Sequence, residues 1–265
     1  MKTRLDVYLL DNGYFQTREK AKAAIMAGVV FVNGQISDKA GNLIKEDDIV
    51  EVKGSNCPYV SRGGFKLEKA LDVFKIDLSD KVCLDIGAST GGFTDCMLQN
   101  GAKKVYAVDV GYGQLDYKLR NDSRVINIEK CNFRYIDFEL IKDVIQFACT
   151  DVSFISLKHI LPNASALLND NAYFVCLVKP QFEAGREQVG KNGIIKDPLV
   201  HKEVINNVIN YARENSLQAI DLNYSPIKGA KGNIEFLLLL QKKSELEESS
   251  IDIDSVVSAA HCMEV

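Results

Sequence analysis

The sequence predicts a doubly wound α/β domain with a small α+β unit ahead of it. Three observations predict it. Apolar, strand-length runs recur after residue 61 with helix-length stretches between most of them, a glycine-rich turn follows the first run, and the first 56 residues instead pass from two short helices into short strands. Strands that are apolar throughout and alternate with helices belong to a mainly parallel sheet covered on both faces. A chain of 265 residues has room for one such domain and an appendage.

Residues 4–13 place Leu5, Tyr8 and Leu9 at helical spacing and run into Gly13, a helix stop. Thr17 offers an N-cap to a second helix, on which Ala21, Ala24 and Ile25 share a face and which Gly28 closes. Residues 29–32 read as a strand, Asn33-Gly34 as a tight turn, and 49–52 as another strand behind the acidic Glu46-Asp47-Asp48. At about 55 residues the core of such a unit is marginal. Turn-forming residues cluster over 54–60, so the expected division is a first domain over 1–56, a linker over 57–60 and the large domain over 61–265.

In the large domain the expected strands are 82–86, 104–109, 125–128, 147–151, 173–178 and 234–240, with a short last helix over 255–261. Ligands of such sheets bind at the carboxyl ends of the strands, where the strand order reverses. The first strand runs into Asp85-Ile86-Gly87-Ala88-Ser89-Thr90-Gly91-Gly92-Phe93-Thr94. A dinucleotide fingerprint needs glycine where Ser89 stands, and a nucleoside-triphosphate loop needs lysine where Phe93 stands. S-adenosylmethionine has no phosphate to neutralise and suits a loop that allows close backbone approach without that lysine. Asp109 ends the next strand, where a carboxylate can accept hydrogen bonds from both ribose hydroxyls. The candidate cofactor residues are therefore Asp85, Gly87, Ser89, Gly91, Gly92, Phe93 and Asp109, with Asn132 assigned to the same site.

Composition bounds the partners. A net charge of −4 gives no diffuse attraction to nucleic acid, so any RNA contact has to be local. Purely apolar runs such as 236–240 fall far short of the ~20 residues that cross a bilayer. The charged start Met-Lys-Thr-Arg-Leu-Asp leaves no apolar stretch for export, and a cytoplasmic location is expected. Seven scattered cysteines without a Cys-x-x-Cys pair read as reduced thiols, neither a disulfide framework nor a zinc site, and no metal is expected. His159, His201 and His261 have no acid or cysteine at useful spacing and read as structural or surface residues.

The pattern Arg4-Leu5-Asp6, Thr17-Arg18, Lys20-Ala21, Ile25, Gly28, Val30, Val32-Asn33-Gly34 and Asp48-Ile49-Val50 resembles an S4 domain, a module that binds structured RNA. From Ser61 almost to the C-terminus the chain is similar to the haemolysin A (TlyA) family of FtsJ-like ribosomal-RNA 2′-O-methyltransferases. The matching stretches are Ser61-Arg62-Gly63-Gly64-Phe65-Lys66-Leu67, 85–93, 109–115, 150–157, Val178-Lys179-Pro180-Gln181-Phe182-Glu183, Gly190-Lys191, 225–229 and 232–236. The resemblance implies a Rossmann-like methyltransferase sheet, S-adenosylmethionine as cofactor, and ribosomal RNA or ribosomal subunits as partner, with a cytidine ribose as target. It implies a Lys-Asp-Lys-Glu catalytic set at Lys66, Asp151, Lys179 and Glu235, and RNA contacts from Arg4, Arg18, Lys20, Lys22 and Arg62. The linker departs from the family, carrying no Arg or Trp; Tyr59 is its aromatic.

The implied reaction explains those residue types. A ribose hydroxyl is a weak acid, whereas a sulfonium methyl is already a good electrophile, so the protein has to align the attack and remove one proton. Lys179 is the expected base, its neutral amine favoured by desolvation and by the neighbouring cation Lys66. Lys66 would position the hydroxyl, Asp151 hold Lys179, and Glu235 anchor Lys66. Taken singly, Lys66 and Glu235 also read as surface charges, whereas Asp151 and Lys179 end apolar strands, where charges have partners or work. The competing readings are an RNA-binding protein with a silent Rossmann-like domain, a haemolysin, and an NAD-dependent enzyme, the last disfavoured by Ser89. Residues 182–198, broken by glycines, read as a substrate-covering loop or a long connection.

Overall fold

The computed structural model describes residues 3–12, 14–15, 17–45, 48–52, 57–190, 193–229, 232–247 and 250–262. The expected helix stop at Gly13, the Glu46-Asp47 pair, linker residues 54–56 and Lys191 lie outside the described residues. The chain divides into two compact units, Met1–Gly64 and Phe65–Val265.

In the first unit, strand β1 (Thr3–Arg4) leads into helix α1 (Leu5–Asp11), and helix α2 (Arg18–Met26) follows. Thr17 caps α2 by accepting the Lys20 N–H at 3.2 Å. Gly28, at φ +73, ends the helix in the left-handed conformation that glycine adopts without strain. Strands β2 (Val30–Val32) and β3 (Gln35–Ile36) form a hairpin through Asn33 and Gly34, both at positive φ. After β4 (Leu43–Ile44), which pairs with β1, strand β5 (Val50–Val52) joins the other edge of β2. Leu5, Leu9, Ala21, Ile25, Val30, Ile44 and Val50 form the core. Two-residue strands such as β1, β3 and β4 are too short to leave a period in the sequence. Tyr59 is buried, and a Cβ on Gly64 would fall 2.3 Å from its ring, so glycine is required there.

The second unit begins with helix α3 (Gly64–Val73), strand β6 (Val82–Ile86), helix α4 (Gly92–Gln99), strand β7 (Lys104–Val108), helix α5 (Tyr117–Arg120) and strand β8 (Val125–Ile128). It continues with strand β9 (Ile145–Thr150), helix α6 (Leu161–Leu167), strand β10 (Leu168–Val178), helix α7 (Pro180–Glu183) and helix α8 (Pro198–Arg213). Strands β11 (Leu217–Tyr224) and β12 (Phe236–Lys242) and helix α9 (Ile253–His261) complete it. The sheet is seven-stranded in the order β11-β12-β10-β9-β6-β7-β8, parallel from β10 to β8, with β12 antiparallel to both its neighbours. The chain leaves β6 toward β7 on one side and returns to β9 on the other, so the strand order reverses at the end of β6. Leu84, Ile86, Ala148, Phe174, Cys176, Phe236 and Leu238 share a cluster with Val204, Ile205 and Val208 of α8 and Val257 of α9. The alternate residues Cys83, Cys149, Val175, Leu237 and Leu239 are buried toward the opposite face.

One feature differs from expectation: strand β11 has no counterpart in the predicted strands because an irregularity between Ala219 and Asp221 breaks its alternation. Of the residues read as structural or surface, His201 is fully buried on α8, its Nδ1 2.9 Å from Nε2 of His261 on α9.

Candidate active site

The turn after β6 is shaped by backbone constraints. Gly87 has φ +85, and a Cβ on it would stand 3.0 Å from Val152 Cγ1 and 3.2 Å from the Asp151 carbonyl oxygen. Gly91, at φ +95, has Leu119 where a Cβ would go, 2.2 Å from its Cδ1. Both positions therefore exclude any side chain. Gly92 opens α4, and Phe93 is buried behind it. The turn meets Asp109 directly: the Ser89 N–H donates to Oδ2 at 2.8 Å and the Gly111 N–H to Oδ1 at 2.6 Å. One lone pair on each oxygen is used, so the carboxylate keeps acceptor capacity on both.

Asp85 and Asn132 stand apart from that surface. Asp85 is 1% exposed and accepts the Thr94 hydroxyl at 2.6 Å, beneath the turn and not on it. Burial pushes its carboxyl up to about 7 against the Thr94 hydrogen bond, with Asp151 and Asp109 adding to the rise. Asn132 accepts the Arg134 N–H at 3.1 Å and lines a cavity of about 540 Å³ at the end of β8, together with Ile128, Cys131, Tyr135 and Leu140. The Cys131 N–H donates to the Asp109 carbonyl at 2.9 Å, so this cavity adjoins the Asp109 turn.

The four charged residues meet on the same side of the sheet. Lys66 lies on α3, Asp151 and Lys179 each stand one residue beyond β9 and β10, and Glu235 stands one before β12. Because β9 is parallel to β10 and β12 antiparallel to β10, all three strand-borne residues fall at one end of the sheet. Lys66 Nζ lies 2.7 Å from Glu235 and 3.2 Å from Asp151, and the other Asp151 oxygen takes Lys179 Nζ in a tight ion pair. Lys179 also donates to Ser153 Oγ at 2.9 Å. The result is an alternating row of Glu235, Lys66, Asp151 and Lys179. Its members are nearly buried, except that 21% of the Asp151 side chain reaches solvent. Burial opposes the charge on Asp151, but Lys66 and Lys179 overcome it and hold the carboxyl down to about 2. Burial also presses the Lys66 ammonium downward, and Asp151 and Glu235 together carry it above the usual lysine value.

Several residues that sequence reasoning passed over frame this row. Phe154 has φ +64 and is 91% exposed, its ring 5.0 Å from that of Phe182. Glu183 accepts hydrogen bonds from the Ser156 hydroxyl at 2.6 Å and the Leu157 N–H at 2.8 Å. Gly229 sits against Glu235, where a Cβ would fall 2.0 Å from Oε1. Each lies inside a motif quoted above, so the signal was present as a motif but not as a role.

The expected RNA residues divide. Arg4 and Arg18 both bind the buried Asp6, at 3.0 and 2.9 Å, and Arg62 binds Asp38 at 3.0 Å, so these cations are partly neutralised within the first unit. The Arg4 and Arg18 hydrogen bonds outweigh burial and hold the Asp6 carboxyl down to about 2. At about 100° per residue, Lys20 projects from the far side of α2 relative to Arg18 and Lys22, so the set does not share one helix face.

Comparison with known proteins places these features. The FtsJ-like methyltransferase model matches residues 59–242 and the S4 domain model residues 3–50. The chain is 52% identical to a Bacillus subtilis protein with the provisional name rRNA methyltransferase YqxC, over 98% of this chain and 94% of the relative. It is 37% identical to the 16S/23S rRNA (cytidine-2′-O)-methyltransferase TlyA of Mycobacterium tuberculosis, over 98% of this chain and 97% of that one. A solved structure from Streptococcus thermophilus, named a hemolysin, matches at a TM-score of 0.79 and 49% identity, covering 98% of this chain and 96% of its own. Among the described residues no helix is long and apolar enough to cross a membrane.

Proposed function

Because the chain belongs to the haemolysin A (TlyA) family, with an S4 domain and an FtsJ-like methyltransferase domain, we propose that it transfers a methyl group from S-adenosylmethionine to a ribose 2′-hydroxyl of ribosomal RNA. The observation that carries the reading is the Asp151 carboxylate clamped between Lys66 and Lys179 at the strand ends beside the glycine turn. The name of the tuberculosis relative supports cytidine as the target nucleoside. Such a substrate puts the protein with ribosomes in the cytoplasm.

The residues present fit the cofactor. The turn carries no lysine, in keeping with a ligand that has no phosphate, and Gly87 and Gly91 let it pack closely on Val152 and Leu119. Asp109 would hold the ribose hydroxyls, and the cavity lined by Asn132 has a volume usual for small-molecule sites. Bound S-adenosylmethionine supplies an electrophilic methyl on a positively charged sulfur.

Lys179 would take the ribose proton. Asp151 and Ser153 occupy two of the directions around its nitrogen and leave a third for the hydroxyl. Lys179, entering as a neutral amine, would accept the hydroxyl proton at Nζ while the ribose oxygen took the methyl group that bound S-adenosylmethionine would supply. Lys66, fixed by Glu235, would orient the hydroxyl. The exposed Phe154 ring beside Phe182 offers a surface on which an unpaired base can stack.

The test is methyl transfer by the full chain to ribosomal subunits that lack the modification, using labelled S-adenosylmethionine and mapping of 2′-O-methyl groups. Incorporation at a ribose hydroxyl is expected. RNA binding without incorporation would leave a non-catalytic RNA-binding protein.

A further inference from the structure

We infer that Glu183 is a positioning residue for methyl transfer, fixing the turn that follows β9 to helix α7 so that Ser153 and Phe154 meet Lys179 and Phe182. The inference rests on the reading of Lys179 and Asp151 as the reacting site.

Two chain segments leave neighbouring parallel strands side by side, Cys176 of β10 pairing with Thr150 of β9. They then touch at three places. Lys179 Nζ donates to Ser153 Oγ at 2.9 Å, and the Phe154 and Phe182 rings lie 5.0 Å apart. At the far end, Glu183 receives the Ser156 hydroxyl on one oxygen and the Leu157 N–H on the other. The first two contacts bear on the proposed chemistry, and the third closes the turn that makes them. Ser156 in turn accepts the Lys158 N–H at 3.2 Å, so the Glu183 carboxylate anchors the start of the next helical turn as well.

The turn needs such an anchor. Phe154 is a non-glycine residue at φ +64, a conformation that persists only when surrounding contacts hold it. Its own side chain is 91% exposed and adds little packing. Without Glu183, Leu157, which is 1% exposed, would keep a backbone N–H with no acceptor, and the backbone at Phe154 would be free to relax toward extended geometry. Ser153 would move with it and leave Lys179 held by Asp151 alone. Burial raises the Glu183 carboxyl against its two hydrogen bonds, so a charge is kept here at a cost.

The experiment uses the full chain, ribosomal subunits and saturating S-adenosylmethionine under single-turnover conditions, with cofactor affinity by calorimetry and melting temperature in parallel. Glu183→Ala should slow transfer by about 10–100-fold, the scale that a misplacement of about 1 Å produces, and should change cofactor affinity by less than about 2-fold. Glu183→Gln keeps an acceptor for Leu157 and a donor for Ser156, so its rate should stay within about 3-fold of the wild type. If Glu183 acts through Ser153, adding Ser153→Ala to Glu183→Ala should cost no more than about a further 3-fold, because the two changes share one contact. Should Glu183→Ala fold poorly, Ser156→Ala removes one arm of the anchor alone and should slow transfer by about 3–10-fold at an unchanged melting temperature. A folded Glu183→Ala protein at wild-type rate, or losses that multiply with Ser153→Ala, overturn the inference alone. A wild-type protein that transfers no methyl overturns the underlying reading and the inference with it.

Discussion

Asp151 and Lys66 stand 85 positions apart in the chain yet form a 3.2 Å ion pair, and the other oxygen of the same carboxylate holds Lys179. One acid therefore pairs with two ammonium groups that are each 8% exposed, Lys66 being held by Glu235 as well. Asp151→Asn would leave both facing a neutral amide and should cost about 3–5 kcal/mol, as breaking a buried pair does. The sign with pH follows from the depressed carboxyl. Its contribution is fully present above the ordinary value of 3.8 and is lost as pH falls through about 2. Denaturation curves of wild type and Asp151→Asn should differ fully at neutral pH and converge toward pH ~2; parallel curves would show that Asp151 is not the balancing charge.

Lys179→Ala should abolish transfer while leaving S-adenosylmethionine affinity nearly intact, because its proposed work is on the ribose proton. Single-turnover transfer and calorimetry on the same variant separate the two effects. Measurable turnover by Lys179→Ala would exclude it as the proton acceptor.

Asp109 ties the Ser89 and Gly111 backbone, and on the proposed reading it also offers both oxygens to the cofactor ribose. Asp109→Ala should weaken S-adenosylmethionine binding by about 1–3 kcal/mol, the range for hydrogen bonds to an ionised group. Titration calorimetry should also find no binding of NAD or ATP to the wild type. Unchanged affinity in the variant would remove the ribose assignment.

The family resemblance singled out all four charged residues of this site. From the pattern alone only Asp151 and Lys179 stood out, because they end apolar runs that a parallel sheet gathers at one end, whereas Glu235 alone reads as a surface charge. The partner of Lys179 at Ser153 was not legible, since it depends on the left-handed backbone at Phe154, which no periodicity records. Strand β11 escaped because its irregularity at Ala219 shifts the inward face by one residue. The arginines near the N-terminus were visible as charges. That Asp6 draws in both Arg4 and Arg18 depends on α1 burying that carboxylate, which is a property of packing.

Gly229 gives a test of Glu235 that leaves every charge in place. A Cβ at this position would meet Oε1 at 2.0 Å and Cδ at 2.5 Å, so Gly229→Ala must push the carboxylate off Lys66 or shift its own backbone. Transfer should slow by about 10-fold or more, with cofactor affinity unchanged. A wild-type rate in a folded Gly229→Ala protein would mean that the Glu235–Lys66 contact does not matter to the reaction.

The last prediction concerns the first unit, whose cations do two kinds of work. Arg4 and Arg18 share the buried Asp6, so removing either leaves that carboxylate short of a partner and should lower the unit's stability as well as its affinity for RNA. Lys22, on the opposite side of α2 from Lys20, is not part of that arrangement, and its contribution should be to phosphates. The chain carries a net charge of −4, so its attraction to RNA has to come from such local groups. Lys22→Ala should therefore weaken binding to different structured RNAs alike, leave the melting temperature unchanged, and reduce the slope of log affinity against log salt by about 1. Arg18→Ala should weaken binding and lower the melting temperature together. The measurement is RNA affinity of the full chain at several salt concentrations beside thermal melting. An unchanged salt slope in Lys22→Ala would move the RNA contact off this face of the helix.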